Sequence, residues 1–120
     1  MSTRRQIRGQ RGWAAGHRAE TIAALLLTAK GYRIVARRFA CPAGEVDLIA
    51  KRGRTLVFAE VKSRVDPDTA AQAITARQRT RIARAAEVFL QRHPPYASFM
   101  LRFDAILFGR GNWPRHISDA

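Results

Sequence analysis

The chain has few acidic residues for its content of basic ones. Asp and Glu together number nine against 22 Lys and Arg, which gives a formal net charge of +13. So large a positive excess favours a polyanionic partner, most simply nucleic acid. An arginine-biased coding composition, a membrane surface or an acidic protein partner are the alternatives.

Cysteine and long apolar runs are also scarce. Cys41 is the single cysteine, so an internal disulfide is excluded and a reducing, cytoplasmic location is expected. No apolar run reaches the roughly 18 residues that a membrane span needs. The arginine-rich N-terminus is not followed by the apolar segment of a signal peptide. We therefore expect no membrane partner.

The length and the arginine distribution suggest one domain with a basic arm. The 120 residues contain no internal repeat and suit one modest core. Residues 1–11 hold several arginines among few apolar residues and are predicted to be a flexible arm. That arm either follows a phosphate backbone or serves as a solubilising tail. Residues 12–120 are expected to form the domain.

Apolar periodicity predicts the order of helices and strands. Alternating helical and strand patterns favour an α/β fold in which a mixed sheet carries helices on its faces. A capping box, Thr75 with Gln78, is predicted to begin the second helix. No helix is predicted in 109–120, where Trp113 is expected to pack back on the core. The predicted elements are a helix Trp13–Lys30, a strand Tyr32–Phe39, a hairpin within Gly44–Lys62, a helix from Thr75 to about Arg92, and a strand Phe99–Phe108.

The predicted hairpin carries three of the nine acids. Two period-two runs flank Lys51–Arg54, a short polar segment that contains glycine. If the loop is symmetric, Ala50 lies opposite Thr55. Asp47 would then face Phe58, with Glu60 two positions further along the same face. Lys62 follows Glu60 by two residues and shares that face.

Two carboxylates that converge on one point repel each other, and a divalent cation relieves the repulsion. Hard oxygen ligands favour Mg²⁺ or Mn²⁺ over zinc. A lysine beside such an ion can orient a water or offset charge on a phosphate. The alternative is a half-buried hairpin with a surface pair between Glu60 and Lys62.

Asp47 followed by Glu60-Val61-Lys62 looks like the PD-(D/E)XK nuclease pattern. From about Gly16 to Asp104 the chain resembles the small YraN-like (UPF0102) family, which is similar to archaeal Holliday-junction resolvases. The matching segments are Gly16-x-x-Ala19-Glu20-x-x-Ala23, Gly31-Tyr32, Gly44-Glu45-Val46-Asp47-Leu48-Ile49, Phe58-Ala59-Glu60-Val61-Lys62-x-Arg64 and Arg102-Phe103-Asp104. The resemblance implies a restriction-endonuclease-like α/β/α fold for the domain.

The resemblance also implies a set of site residues. Asp47 and Glu60 would bind Mg²⁺ or Mn²⁺, with the Val61 carbonyl as a further ligand and Glu20 as an auxiliary one. Lys62 would position or activate the attacking water. The alternative for Glu20, which borders the buried face of its helix, is an ion pair with an arginine.

Two positions depart from the family pattern. Gln78 stands where lysine is usual; it is expected to keep a polar contact to a phosphate or carboxylate of the active site, but it brings no positive charge. Arg38 stands where asparagine is usual, and it is expected to be a phosphate contact.

Further arginines are candidates for nucleic-acid binding. Arg77, Arg81 and Arg84 recur at i, i+4 and i+7, and like charges at that spacing repel unless an anion lies along them. Arg64 is a further candidate, whereas the alternative for the helical arginines is a solvated face. Arg102 is expected to pair with Asp104 in structural support.

These observations lead to a predicted function. The chain is expected to be a metal-dependent endonuclease that hydrolyses phosphodiester bonds, with DNA favoured over RNA. Cutting two strands in concert would require a homodimer. The alternative is a non-catalytic nucleic-acid-binding module of the same fold, possibly associated with RNA, since phosphate contacts do not distinguish the two.

Overall fold

The computed structural model describes residues 18–63, 74–109 and 114–120. The predicted basic arm, Trp13, Arg64 and Trp113 lie outside the described residues. No helix in the described ranges combines the length and apolarity that a membrane crossing demands.

The described residues form a mixed sheet with a helix on each face. The strand order is β1-β2-β3-β4-β5, and neighbours are antiparallel except for β3 and β4, which are parallel. The predicted α/β class with a mixed sheet is therefore confirmed. The elements are a helix over 18–29 (α1), β1 Arg33–Cys41, β2 Gly44–Arg52, β3 Thr55–Lys62, α2 Ala76–Arg92, a 3-10 turn Pro94–Tyr96, β4 Met100–Leu107 and β5 Arg115–Ile117.

Each face of the sheet packs against one helix. On the first face, Ala23 and Leu27 of α1 meet Leu48 of β2 and Val57 of β3. The opposite face packs against the apolar stripe of α2. Its buried members from α2 are Ile82, Ala85 and Phe89, and those from the sheet are Val46, Ile49, Leu56 and Phe58. The sheet thus lies between two apolar layers, as an α/β/α arrangement requires.

Helix α2 begins at the predicted capping box and ends at the predicted position. The Thr75 side chain accepts a hydrogen bond from the Gln78 backbone N–H, and Gln78 Oε1 accepts from the Thr75 backbone N–H at 2.9 Å. These two bonds satisfy donors that the first helical turn leaves without a partner. The helix ends at Arg92, two residues before Pro94.

Glycine at position 44 allows α2 to lie against the start of β2. A Cβ atom there would overlap the backbone carbonyl of Arg81. Because a backbone carbonyl in the middle of a helix cannot move aside cheaply, any other residue would push α2 away from the sheet.

The register of the hairpin differs from the symmetric loop that was predicted. Arg52 pairs with Thr55, and Ala50 pairs with Val57 rather than with Thr55. The turn holds two residues, with Gly53 at φ +59°, because tight hairpins favour turns with positive φ. An even shift keeps the side chains of the paired segments, 48–52 and 55–59, on their predicted faces. It also changes the residue opposite Asp47, because continuing the register by one residue places Glu60 there rather than Phe58.

The C-terminal segment adds a strand that the sequence pattern does not predict. Ala105, Ile106 and Leu107 of β4 pair with Ile117, His116 and Arg115 of β5. Three residues are too few to show a periodicity, and this pairing depends on a neighbour in space rather than on local sequence.

Candidate active site

Strand β2 departs from regular alternation at Asp47. Val46 packs against the α2 side of the sheet, whereas Leu48 packs against the α1 side. Residues two apart in a regular strand lie on the same face. The pleat is therefore interrupted at the residue between them. This break lies at the edge of the hydrogen-bonded ladder with β3, whose last pair is Leu48 with Ala59.

The neighbouring strand is irregular at the same level. Arg38 has φ +54°, a left-handed conformation that is uncommon for residues other than glycine and asparagine. It lies between the pairs Arg37–Leu48 and Phe39–Val46, so it is beside Asp47. The asparagine that the family resemblance implies at this position suits such a backbone.

The carboxylate of Asp47 is oriented by the backbone of β3. The Val61 N–H donates a hydrogen bond of 2.8 Å to Asp47 Oδ2. Val61 follows Glu60 directly, so the two carboxyl groups are held near each other by consecutive residues of one strand. Their convergence, which the sequence predicts, is present in the structure.

Burial and neighbouring negative charges raise the pKa of both carboxyl groups. For Glu60, burial is the largest cause, followed by the charge of Asp47, and together they raise its pKa to about 7. Burial also raises the pKa of Asp47, against the lowering effect of the Val61 N–H, and the charge of Glu20 adds to the rise. Two such groups at one point favour either a shared proton or a bound cation.

Lys62 is close to this pair. Its Nζ lies 3.7 Å from Glu60 Oε1, and its charge opposes the rise in the pKa of Glu60. The Lys62 side chain is 30% exposed. It therefore reaches both the carboxylate pair and solvent, as a group that contacts a phosphate or a water must.

Glu20 is buried and is held by two arginines. Arg37 Nε donates to its Oε1 at 3.1 Å, and Arg38 Nε donates to its Oε2 at 2.5 Å. The ion pair with arginine, which was one of the two alternatives for Glu20, is therefore present. The role of Glu20 as an auxiliary metal ligand stays a prediction. Its charge contributes to the raised pKa of Asp47.

A cleft of about 260 Å³ opens beside Asp47. Glu45, which has no predicted role, is among its lining residues. Glu45 raises the pKa of both Asp47 and Glu60, and its Oε1 lies 3.9 Å from Arg81 Nη2. Its position two residues before Asp47 is the signal that could have found it. The lining residues are Glu20, Arg38, Phe39, Ala40, Glu45, Val46, Asp47 and Val61.

The donor set suits magnesium better than a metal that needs several protein ligands. Within 18–63, 74–109 and 114–120, no three His, Cys, Asp or Glu side chains form a metal-binding group. Asp47 and Glu60 supply two carboxylates. Mg²⁺ is usually bound by one or two carboxylates and keeps several waters. The residues present therefore fit such an ion.

The predicted nucleic-acid contacts lie at different distances from the cleft. Arg38 lines it, and Arg81 reaches its rim through Glu45. Arg77 and Arg84 are exposed on α2. The contacts described for the Gln78 side chain are those of the helix cap, so its catalytic role stays a prediction.

A second cluster of charge is buried on β4, and it includes the predicted pair of Arg102 with Asp104. Arg102 donates to Asp104 at 2.8 Å through both Nε and Nη2, and the Asp119 backbone N–H donates at 3.1 Å. His116 Nε2 lies 2.7 Å from Asp104 Oδ2. Burial alone would raise the pKa of Asp104, but these partners hold it well below its usual range. The cluster ties the C-terminal segment to the sheet.

The comparisons with known proteins agree with the resemblance. The model of a family described as "Uncharacterised protein family UPF0102" matches residues 19–108. A UPF0102 protein of Parvibaculum lavamentivorans is 51% identical over 112 residues, covering 93% of this chain and 84% of that protein. One from Methylorubrum extorquens is 52% identical over 105 residues, covering 88% of this chain and 82% of its own length. One from Nitrobacter winogradskyi is 49% identical over 106 residues, with 88% and 90% covered. The chain belongs to the UPF0102 family.

Proposed function

We propose that this protein is a metal-dependent endonuclease that hydrolyses phosphodiester bonds in nucleic acid, with DNA favoured over RNA. The observation that carries the proposal is the convergence of Asp47 and Glu60 next to Lys62, beside a cleft in a strongly cationic chain. Paired carboxylates with raised pKa values and a nearby ammonium are typical of catalytic sites. The resemblance to PD-(D/E)XK nucleases supports the same chemistry.

Each residue has a distinct task in this proposal. Asp47 and Glu60 would hold Mg²⁺ or Mn²⁺, with the Val61 carbonyl as a further ligand and Glu20 as an auxiliary one. When bound, the ion supplies Lewis-acid stabilisation of the phosphate and lowers the pKa of a water.

The Val61 N–H fixes the orientation of the Asp47 carboxylate, so little reorganisation is needed when the substrate arrives. The Lys62 ammonium orients the attacking water and offsets the negative charge that develops on the phosphate.

The arginines supply affinity for the backbone of the substrate. Arg81 lies at the rim of the cleft, and Arg77 and Arg84 continue along the exposed face of α2. Phosphate contacts of this kind release counterions, so binding should weaken steeply with salt. They carry no information on sugar or base, and discrimination between DNA and RNA has to come from contacts with the sugar or from the shape of the substrate.

The direct test is a cleavage assay on branched, single-stranded and duplex DNA and on RNA, with Mg²⁺ or Mn²⁺. Asp47→Ala and Lys62→Ala are expected to abolish cleavage or to slow it by at least about 10²-fold. Two matched controls exist. Glu87→Gln removes an exposed acid of α2, and Lys51→Ala removes a lysine near the turn of the same hairpin. Cleavage that survives both site substitutions would point to a contaminant and would refute the proposal.

A non-catalytic nucleic-acid-binding module is the second candidate, and two observations favour it. Both oxygens of Glu20 are engaged by arginines, and the Gln78 side chain is used in the helix cap. In this case the carboxylate pair would retain a proton and serve only the fold. Salt-sensitive binding of every substrate with no cleavage in either metal would favour this candidate, which includes association with RNA.

The proposal extends to the oligomeric state. A single copy presents one carboxylate pair to one strand, so concerted cutting of a duplex or a junction needs a homodimer. Sedimentation of the protein with and without a junction substrate tests this. Paired cuts made by a protein that stays monomeric at all concentrations would exclude it.

A further inference from the structure

We propose that Arg38 is a catalytic residue that contacts the scissile phosphate, and this inference rests on the proposed endonuclease function. Arg38 lies in β1 at the level of Asp47 and lines the same cleft. Among the described lining residues it alone carries a positive charge, whereas Glu20, Glu45 and Asp47 are acidic. A phosphate that enters this cleft therefore meets Arg38 as the one basic side chain among the described lining residues.

The backbone at Arg38 costs free energy that the fold must offset. A left-handed φ of +54° brings Cβ close to the following carbonyl in any residue that is not glycine. Arginine has no short polar group that would satisfy the local backbone there, unlike asparagine. Strain of this kind at the edge of a candidate site is commonly associated with function.

The effect of this conformation is visible in the directions of the flanking side chains. Arg37 reaches Glu20 on the α1 side, and Phe39 packs against Phe89 on the α2 side. Residues two apart in a regular strand would share a face. The backbone therefore reverses its pleat at Arg38, whose side chain reaches Glu20 and lines the cleft.

Glu20 holds the Arg38 guanidinium in position. Arg38 Nε donates to Glu20 Oε2 at 2.5 Å, and the Glu20 side chain is 5% exposed while that of Arg38 is 40% exposed. A buried carboxylate that fixes one edge of a guanidinium reduces the entropy lost when the group meets an anion. Arginine is suited to this contact because its planar donors match the oxygens of a phosphate.

Arg38 takes no part in bond making and keeps its proton throughout. In hydrolysis the oxygen of water forms a bond to phosphorus, and the bond from phosphorus to a sugar oxygen breaks. That oxygen leaves with the bonding electron pair and takes up a proton from solvent, and the attacking water loses a proton to solvent. Arg38 donates hydrogen bonds to the non-bridging oxygens, whose negative charge increases as the bonds rearrange.

Arg37 provides a matched comparison for a test. It donates to the same carboxylate, is 43% exposed, and also donates to Thr21 Oγ1 at 3.0 Å, but it does not line the cleft. Arg37→Gln removes one partner of Glu20 and one charge, as Arg38→Gln does. Arg33→Gln removes an exposed charge at the other end of β1 and serves as the control for net charge.

The experiment measures single-turnover cleavage with saturating protein, and separately the affinity for the same substrate in Ca²⁺. Arg38→Gln and Arg38→Asn are expected to slow cleavage by about 10²-fold, as loss of one preorganised donor does, with a loss of affinity below about threefold. Arg38→Asn suits the left-handed backbone, so it keeps the test valid if Arg38→Gln folds poorly. Arg37→Gln is expected to slow cleavage far less, and Arg33→Gln to match the wild type.

Other outcomes would contradict a catalytic role for Arg38. Equal slowing by Arg37→Gln and Arg38→Gln would show that Arg38 only holds Glu20, and it would overturn the inference. Loss of affinity without loss of rate would show that Arg38 only binds the substrate, and this result would overturn the inference as well. Wild-type cleavage that Arg38→Asn leaves unchanged refutes this inference alone, whereas wild-type protein that cuts no substrate refutes the proposed function together with it.

Discussion

The backbone N–H of Val61 donates a 2.8 Å hydrogen bond to Oδ2 of Asp47. This bond joins β2 to β3 one position beyond the regular ladder, where the pleat of β2 is interrupted. It uses a main-chain donor to orient a side chain, so the carboxylate is positioned by the sheet rather than by a flexible neighbour. The candidate site is therefore built on the strands of the sheet rather than on a loop.

Relief of repulsion should make Asp47→Asn stabilising in the absence of metal. Asparagine keeps an oxygen that accepts from Val61 but removes the charge that raises the pKa of Glu60. We expect the free energy of unfolding to rise by about 1 kcal/mol, the scale of one such charge interaction. Mn²⁺ should raise the melting temperature of the wild type and not that of the variant. Glu87→Gln, an exposed acid on α2, should keep the Mn²⁺ response, and an undiminished response in Asp47→Asn would contradict the assignment of Asp47 as a ligand.

Gly44→Ala should destabilise the protein because the added Cβ meets the carbonyl of Arg81. A loss of about 2–3 kcal/mol is expected, as for overpacking that forces backbone to shift. Gly53→Ala is a useful comparison, since nothing lies near its Cβ and only its positive φ opposes the change. That variant should lose about 1 kcal/mol. Urea unfolding measures both, and equal losses would argue against the close contact of α2 with β2.

Asp104 should make the protein sensitive to acid. In the folded protein the pKa of Asp104 lies well below the 3.8 of an ordinary aspartate, so the unfolded chain takes up the proton first as the pH falls. The stability that Asp104 contributes is complete above its pKa in the unfolded chain. It is lost as the pH falls from there toward the lower pKa of the folded protein. Asp104→Asn should cost about 3–5 kcal/mol at pH 7, because it removes the fully buried carboxylate that pairs with the partly buried Arg102. The free energy of unfolding of Asp104→Asn should also depend less on pH between 4 and 2 than that of the wild type. Thermal unfolding across this range measures both effects, and identical slopes for the two proteins would refute the assignment.

The arginines of α2 should determine the salt dependence of nucleic-acid binding. Arg81→Gln and Arg84→Gln should each lower the slope of log K against log salt by about 1, the value for one lost phosphate contact. Arg115→Gln, on the short strand β5, is the control. Fluorescence anisotropy at several salt concentrations measures the slopes. If both α2 variants keep the wild-type slope, that face of the helix does not contact the nucleic acid and is only solvated.

Gln78→Ala separates the role of Gln78 in the cap from a role in catalysis. Loss of its contacts with Thr75 should lower the free energy of unfolding by about 1 kcal/mol, as cap substitutions do. Thr75→Ala removes the same cap from the other side. If the cap is the function of Gln78, both variants should cut substrate at the same rate. A loss of rate confined to Gln78→Ala would instead support the catalytic role that the resemblance implies.

Local patterns in the sequence were sufficient for much of the fold. The capping box at Thr75 and the apolar stripe of α2 depend on neighbours within one or two turns, so periodicity and cap chemistry identify them. The strand alternation within the paired parts of β2 and β3 likewise shows which residues share a face, but the break at Asp47 does not follow from it. The family resemblance added the expectation that Asp47 and Glu60 act together.

The tertiary structure decided what depends on partners distant in sequence. The two-residue turn at Gly53 set the hairpin register. The left-handed backbone at Arg38 and the break in alternation at Asp47 accompany the positions of both side chains in the lining of the cleft. Asp104 gained His116 only because the C-terminal segment pairs with β4. The sequence by itself determined the helices, the strands β1 to β4 and the acids available to a site, because these follow from short-range periodicity. Which charges meet was decided by strand pairing and helix packing, because those contacts join residues that no local pattern relates.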